Sequence, residues 1–375
     1  MRVLFLVQYP RLAPSPRYRV YQLVPWLERA GVQCDVEPLI EESDYATARS
    51  SGKYPRKSRM LASGLVRRLS AVLRSRNYDL VYVLKGAFPY GPPLIEQLIR
   101  ACNVPVVFDF DDAIHIHKTS VSHRFLDYLK STRRVGQVAA LASRVVVPNE
   151  YLADFARQFN AAVTVVPEAE DTQRLVPRPP HENRSKIVIG WVGSSSTAKY
   201  LMLVQDALRV VCDRYPNVVV RVIGGKFDSA GVRTEVVDWK YEREVQQFHD
   251  LDIGIMPLPL EEWSKGKSGC KLRQYMAAGV PGVGTAIGYN HKLVDHGRTG
   301  FLATTQDEWV ECLTKLVESA ELRNQVAVAA RRDVEQRFAL NVIGPQLESV
   351  IRETVEEFRS ATTPSSTDRA GRVAA

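Results

Sequence analysis

Residues 187–199 read Ile187-Val188-Ile189-Gly190-Trp191-Val192-Gly193-Ser194-Ser195-Ser196-Thr197-Ala198-Lys199. The short β-branched run predicts a strand, and the small residues after it lead into a helix near 198–214. A first parallel strand that passes through such a loop into a helix is the opening of a doubly wound domain, whose ligand lies at the strand's carboxyl end. Gly193, Ser194 and Ser195 let backbone approach a ligand there, with Lys199 one turn inside the helix. Ser and Thr are also ordinary helix caps.

The same alternation extends in both directions. Upstream, strands are predicted at 2–7, 33–37, 79–84, 104–109, 144–148 and 162–167, with amphipathic helices near 17–30, 92–101 and 150–158 between them. Downstream, strands are predicted near 218–223, 252–256 and 280–284, and helices near 241–249, 271–278, 306–319 and 321–337. Alternating β and α elements predict an α/β fold, with parallel sheets covered by helices on both faces. Two such runs in 375 residues make two Rossmann-like domains, joined at the Pro-rich segment 177–183. The expected division is 1–178 and 179–340. Beyond Pro345 a last helix carries Leu347, Val350, Ile351, Val355 and Phe358 on one stripe, which must pack on something. Residues 361–375 have the composition of a disordered tail.

Composition narrows the class. Hydrophobic residues at 45% and charged residues at 25% are those of a globular protein. Five scattered cysteines without a C-x-x-C pair suggest neither disulfides nor zinc, and point to the reducing cytosol. The run from Met1 lacks a signal-peptide pattern. The longest uncharged stretch, Gln274–His291, is broken by glycines and Pro281, so it reads as a helix end, a buried strand and a loop. The net charge of +8 has one source. Between Arg49 and Arg76 stand nine basic residues and no acid, which leaves 41 basic against 42 acidic elsewhere.

The densest chemistry lies in Glu261-Glu262-Trp263-Ser264-Lys265-Gly266-Lys267-Ser268-Gly269-Cys270-Lys271-Leu272-Arg273-Gln274. A Gly- and Lys-rich turn after a strand and before a helix offers backbone N–H groups, a favourable dipole end and cations. That is an anion site, with phosphate as the expected anion; a solvated basic loop is the plainer alternative. In the first half, Phe108-Asp109-Phe110-Asp111-Asp112 ends a strand, with His115 and His117 beyond. Asp111 and Asp112 are candidates to orient or deprotonate an acceptor hydroxyl, or simply to cap structure. Gly282-Val283-Gly284-Thr285-Ala286-Ile287-Gly288 has the wrong glycine spacing and the wrong neighbours for a dinucleotide fingerprint, so no NAD is inferred.

Gly193 with Lys199, the run Lys271-Leu272-x-Gln274-Tyr275-Met276-Ala277-Ala278-Gly279-Val280-Pro281, and Gly297-Arg298-Thr299-Gly300-Phe301-Leu302-Ala303 resemble the C-terminal domain of family 4 glycosyltransferases of the GT-B fold. Val166-Pro167-Glu168-Ala169-Glu170-Asp171-Thr172 is similar to that family's inter-domain junction. The resemblance covers roughly residues 1–360. It implies two Rossmann-like domains facing each other across a cleft, a nucleotide-sugar lying mainly on the C-terminal one, and a last helix, 341–360, crossing back to the N-terminal one. It assigns phosphate binding to Lys199 and Lys271 and ribose binding to Gln274, where the family usually has glutamate. Gly193, Ser194, Ser195 and the loop Gly266, Lys267, Ser268, Gly269 and Cys270 complete the implied donor site.

Three positions depart from the family. Gly266 stands where a second glutamate is usual, Ser194 where an arginine is, and Asp111 where a histidine is often found. Glu261 or Glu262 would supply the missing carboxylate from the same loop. Arg17 and Arg19, after the first strand, are placed to reach a donor phosphate or an anionic acceptor, or else start a solvated helix.

The expected chemistry is that of a cytoplasmic, metal-independent, retaining glycosyltransferase. It moves a hexosyl-type sugar from a nucleotide-diphosphate sugar, a UDP-sugar by preference, to an unidentified hydroxyl acceptor (glycan, lipid-linked or small molecule), with no cofactor. Asp111, Asp112, Lys199 and Lys271 carry the catalytic roles. The rivals are a nucleotide-sugar-binding protein that turns nothing over, a GT-B-fold sugar-nucleotide epimerase, and a membrane-surface module. In the basic segment, Leu61, Leu65, Leu69 and Val72 share one helical face. That face either lies on an anionic membrane surface or packs inward. No motif for nucleic-acid recognition accompanies the charge.

Overall fold

The computed structural model describes residues 1–50, 52–116, 133–180 and 185–362. His117, the end of the Pro-rich joint and most of the C-terminal tail lie outside these residues. The chain forms two compact units, Met1–Val166 with Gly344 onward, and Pro167–Ile343.

The first unit holds six strands: β1 (Arg2–Val7), β2 (Gln33–Pro38), β3 (Leu80–Leu84), β4 (Val106–Asp109), β5 (Arg144–Val147) and β6 (Val163–Val165). They pair in the order β2-β1-β3-β4-β5-β6, every pair parallel. Val3 to Val7 and Leu80 to Leu84 are buried throughout, as continuous apolar strands covered on both faces must be. The reversal of strand order falls between β1 and β3.

The second unit holds β7 (Ile187–Val192), β8 (Val218–Ile223), β9 (Thr234–Val237), β10 (Ile253–Met256), β11 (Gly282–Thr285) and β12 (Phe301–Ala303). Their order, β12-β11-β10-β7-β8-β9, is again wholly parallel. It is the doubly wound order of dinucleotide-type domains, with the switch between β7 and β10. Side chains alternate across the sheet. Ile187, Ile189 and Trp191 join the core beneath the helices Gln205–Arg214 and Gln306–Glu318. Val188 and Val192 join Leu272, Tyr275 and Phe338 on the other face.

Sequence and structure differ at several places. The edge strands β9 and β12 are unannounced, being only four and three residues long and partly exposed at β9. The helix near 198–214 is three pieces: a turn at Ser195–Ala198, a tight 3-10 segment at Lys199–Val204, and the α-helix Gln205–Arg214. Residues 167–178 belong with the second unit and not the first. The buried Arg178 pairs with Asp252 at 3.0 Å, and Arg331 donates to the carbonyls of Thr172, Leu175 and Ala277.

The last helix, Leu340–Thr362, begins before Pro345 and carries it inside. From Gly344 onward it belongs to the first unit, where Leu347, Val350, Ile351 and Val355 are buried. Arg144 pairs with Glu357 at 2.6 Å, Arg352 donates to the Ala30 carbonyl at 2.8 Å, and Arg100 lies over the Phe358 ring.

Arg19 is the clearest correction. It follows the turn Pro14–Pro16, yet only 3% of its side chain is exposed. Its guanidinium grips Asp109 at 2.9 and 3.1 Å and donates to the Val166 carbonyl at 2.6 Å, while Tyr82 donates its hydroxyl to the same Asp109. Arg17 is buried as well, its guanidinium over the Tyr18 ring. Neither is a solvated arm held ready for phosphate. Arg19→Met would strand a buried carboxylate and should cost about 3–5 kcal/mol of stability, read by denaturant unfolding. An unchanged midpoint would return Arg19 to the list of ligand-binding candidates.

Candidate active site

Both candidate loops of the second unit leave the strands that flank its switch point. Gly193–Lys199 follows β7, and the segment ending at Gly269 follows β10. Tyr275 fixes the helix between them. Its ring lies on Gly254 of β10, where any side chain would collide at 2.4 Å, and its hydroxyl accepts from Val192 N–H at 3.2 Å and faces the Ile255 carbonyl at 3.2 Å. The helix Cys270–Ala277 is thereby locked under the carboxyl ends of both switch strands.

Its first turn carries no side-chain cap. Gly269 is the N-cap in a left-handed conformation at φ 70°, which glycine adopts without steric cost. A Cβ there would also meet Leu293 at 2.4 Å. The initial N–H groups of a helix lack intrahelical acceptors, so they add to the positive end of the dipole beside Lys271.

Lys271 is half-buried at this turn. Its Nζ lies 5.4 Å from the centre of the Trp191 ring, and its Cε stands 3.0 Å from where a Cβ on Gly193 would be. That same Cβ would strike Trp191 at 2.5 Å, so the close approach of the two loops requires glycine. A second bridge is aromatic. Tyr200 and Trp263 stand 6.2 Å apart, with Lys199 over the first ring at 5.5 Å and Lys267 over the second at 4.0 Å. Three lysines from two loops thus gather at one sheet end.

Other predicted residues fall as follows. Ser194 caps nothing through its side chain; its hydroxyl lies 2.8 Å from that of Ser196, and Ser195 is exposed. Gln274, Gly266, Ser268 and Gly269 are buried, and Cys270 is half-buried. Burial pushes the Cys270 thiol up to about 12, with Glu168 adding to the effect, so it is no thiolate nucleophile. Glu262 is exposed and paired with Lys265 on its own short helix, and Glu261 is exposed too.

In the first unit, Asp111 and Asp112 do not stand alone. Lys85, at the end of β3, places Nζ 2.6 Å from Asp111 and 3.2 Å from Asp112. Although burial alone would lower it, the two aspartates push Lys85 up and keep it charged. Lys85 has a left-handed backbone at φ 60°, and Gln8 donates to its carbonyl at 2.9 Å. Asp111 and Asp112 thus stand within an ion cluster built around Lys85. His115 stacks on Phe155 at 3.8 Å. Among the described residues, no three His, Cys, Asp or Glu side chains converge as metal ligands.

Two groups were missed in the sequence. Lys85-Gly86 gives little signal, because nothing in a sequence marks a left-handed lysine. Arg273 sat in plain view in the helix. It is fully buried, paired with Glu168, 3.7 Å from Glu170, and donates to the Ser268 carbonyl at 3.1 Å. The Glu-Ala-Glu run before the unit's first strand was the available clue. Arg273→Met should destabilise the chain by about 3–5 kcal/mol, because it leaves Glu168 buried and unpaired. Adding Glu168→Gln should restore much of that loss; strictly additive losses in denaturant unfolding would dissolve the pair as a unit.

The chain can now be set beside known proteins. No curated protein matches it. Among solved structures, sucrose-phosphate synthase from Thermosynechococcus elongatus superposes with a TM-score of 0.67 at 13% identity, over 94% of this chain and 98% of its own. A glycosyltransferase from Rickettsia africae gives 0.66 at 13%, with the same coverage. HepE of Anabaena, in complex with UDP and glucose, gives 0.63 at 16%, over 94% of this chain and all of its own. At these identities the likeness is one of fold. The chain has the GT-B fold of these glycosyltransferases, and its residues 186–319 match the family described as Glycosyl transferases group 1.

Proposed function

We propose that this GT-B protein is a retaining glycosyltransferase that moves a hexosyl-type sugar from a UDP-sugar to an acceptor hydroxyl without a metal. The observation that carries the reading is the convergence of Lys199, Lys267 and Lys271 at the switch point of the second sheet, next to a glycine-capped helix start. That is cationic provision for a diphosphate, made by side chains and a helix dipole. HepE, of like fold, was solved with UDP-glucose, which favours uridine as the donor nucleoside.

The transfer breaks the bond between the anomeric carbon and the β-phosphate oxygen. Its electron pair stays on the diphosphate, where Lys199 and Lys271 stabilise the new charge as it develops. The acceptor oxygen forms its bond to the anomeric carbon from the same face, and its proton passes to the departing phosphate oxygen. The flattened sugar at the midpoint resembles an oxocarbenium ion. Electrostatics arranged in advance is usually the largest catalytic term. Asp111 and Asp112 remain the candidates for orienting the acceptor hydroxyl, with Lys85 holding them in place.

Calorimetric titration of UDP, GDP and a panel of UDP-sugars into wild type and Lys271→Ala tests the site. One nucleotide should bind, and the variant should bind it more weakly. Turnover in the variant should fall by about 10²–10³. Chelator should leave turnover unchanged, and the product should keep the donor's anomeric configuration by NMR. No binding of any nucleotide would sink the transferase reading. Binding with no UDP release from any donor would instead favour a binding-only protein, the reading to which Gly266 in place of a glutamate points.

A further inference from the structure

The helix Tyr54–Arg74 shows which of its faces is partnered. Met60, Gly64, Arg68, Ala71 and Val72 turn inward. Val72 therefore does not belong to an outer stripe. Leu65 (38% exposed), Val66 (67%), Leu69 (44%) and Leu73 (82%) do, and they follow one another at helical spacing over two turns. The helix Leu94–Ala101, which packs beside it, exposes Leu94 and Leu98 one turn apart. Six large aliphatic side chains on two neighbouring helices are uncovered, a grouping of the kind that marks an interaction site.

Charge lies beside this surface. Lys53, Arg59 and Arg76 are exposed and make no ion pair among the described residues. Arg56 and Arg67, with Arg59 and Ser63, line a cavity on the adjacent side of the helix. Asp44, Glu41 and Glu37 each pair with one arginine of the helix, Arg56, Arg67 and Arg74 in turn. A partner that covers this face must accept aliphatic side chains and carry negative charge nearby, a combination that an anionic bilayer surface offers. No described helix is long and apolar enough to cross a membrane, so the contact is one of lying on the surface.

We propose that the helix Tyr54–Arg74 docks the protein on an anionic lipid bilayer, inserting Leu65, Val66, Leu69 and Leu73 among the acyl chains while its exposed cations meet the headgroups. The inference does not depend on the donor nucleotide.

Co-sedimentation of the full chain with phosphatidylcholine vesicles, with and without phosphatidylglycerol, tests it. Binding should appear with the anionic lipid and weaken with added salt. Leu69→Glu/Leu73→Glu and, separately, Arg59→Glu/Arg76→Glu should each weaken it about tenfold or more. Circular dichroism and UDP titration should match wild type, since all four residues are exposed and lie outside the nucleotide-binding unit. Vesicle binding that ignores lipid charge, or that survives the leucine variant, overturns the proposal. So does a concentration-dependent dimer without vesicle binding, abolished by the leucine variant, which would make the occupant a second copy. Binding to an RNA oligonucleotide but not to vesicles overturns it equally.

Discussion

The second unit turns on a single buried guanidinium. Arg273 sits where burial opposes its charge, and Glu168, with Cys270 and Glu170, more than restores it, so its pKa is pushed up. Such a cation is costly to remove from water and tolerable only when its partners are fixed. Here the fixing runs both ways. Glu168 and Glu170 bring the chain before β7 against the helix Cys270–Ala277, and the Ser268 carbonyl ties down the loop ahead of it. A loop held in this manner can leave its helix start without a side-chain cap. The lysines around it inherit defined positions from a charge that never meets solvent.

Both units solve one geometric problem in different chemistry. In each, strand order reverses and opens a crevice at the carboxyl ends of the strands. The second unit lines that end with small residues and lysines, kept near one another by Trp191, Tyr200 and Trp263. The first unit closes its own end with a Lys85–Asp111–Asp112 cluster, one cation held between two carboxylates. A strained lysine backbone persists only where surroundings overdetermine it, and Gln8 supplies part of that constraint. The two sheet ends therefore differ in character: lysines beside a glycine-capped helix start in the second unit, and a lysine between two aspartates in the first.

How much of this was legible depends on where the signal resides. Central strands such as β1, β3 and β7 are continuous apolar runs bounded by turn residues, and periodicity finds them. β9 and β12 lie at sheet edges and run for only four and three residues, too few to show a pattern, and β9 is half-exposed as well. The loops after β7 and β10 stand out because glycine and lysine are chosen there for local reasons, backbone reach and charge. Arg19 and Arg273 were misread or overlooked for the opposite reason: their partners, Asp109 and Glu168, lie 90 and 105 residues away. No local rule separates a buried arginine from a solvated one.

The same limit alters what the basic segment means. Its nine cations more than account for the chain's net charge of +8, which invites a purely electrostatic account. Yet Arg68 is fully buried, donating to the carbonyls of Ala87, Glu37 and Val7, and burial lowers it to about 10. Arg56, Arg67 and Arg74 are each matched by a carboxylate. The charge left for a partner is a few side chains, and exposed ion pairs contribute little by themselves. An attraction of that size orients a surface more than it holds one. The uncovered leucines are therefore the larger part of the interaction, and the arginines decide which surface those leucines meet.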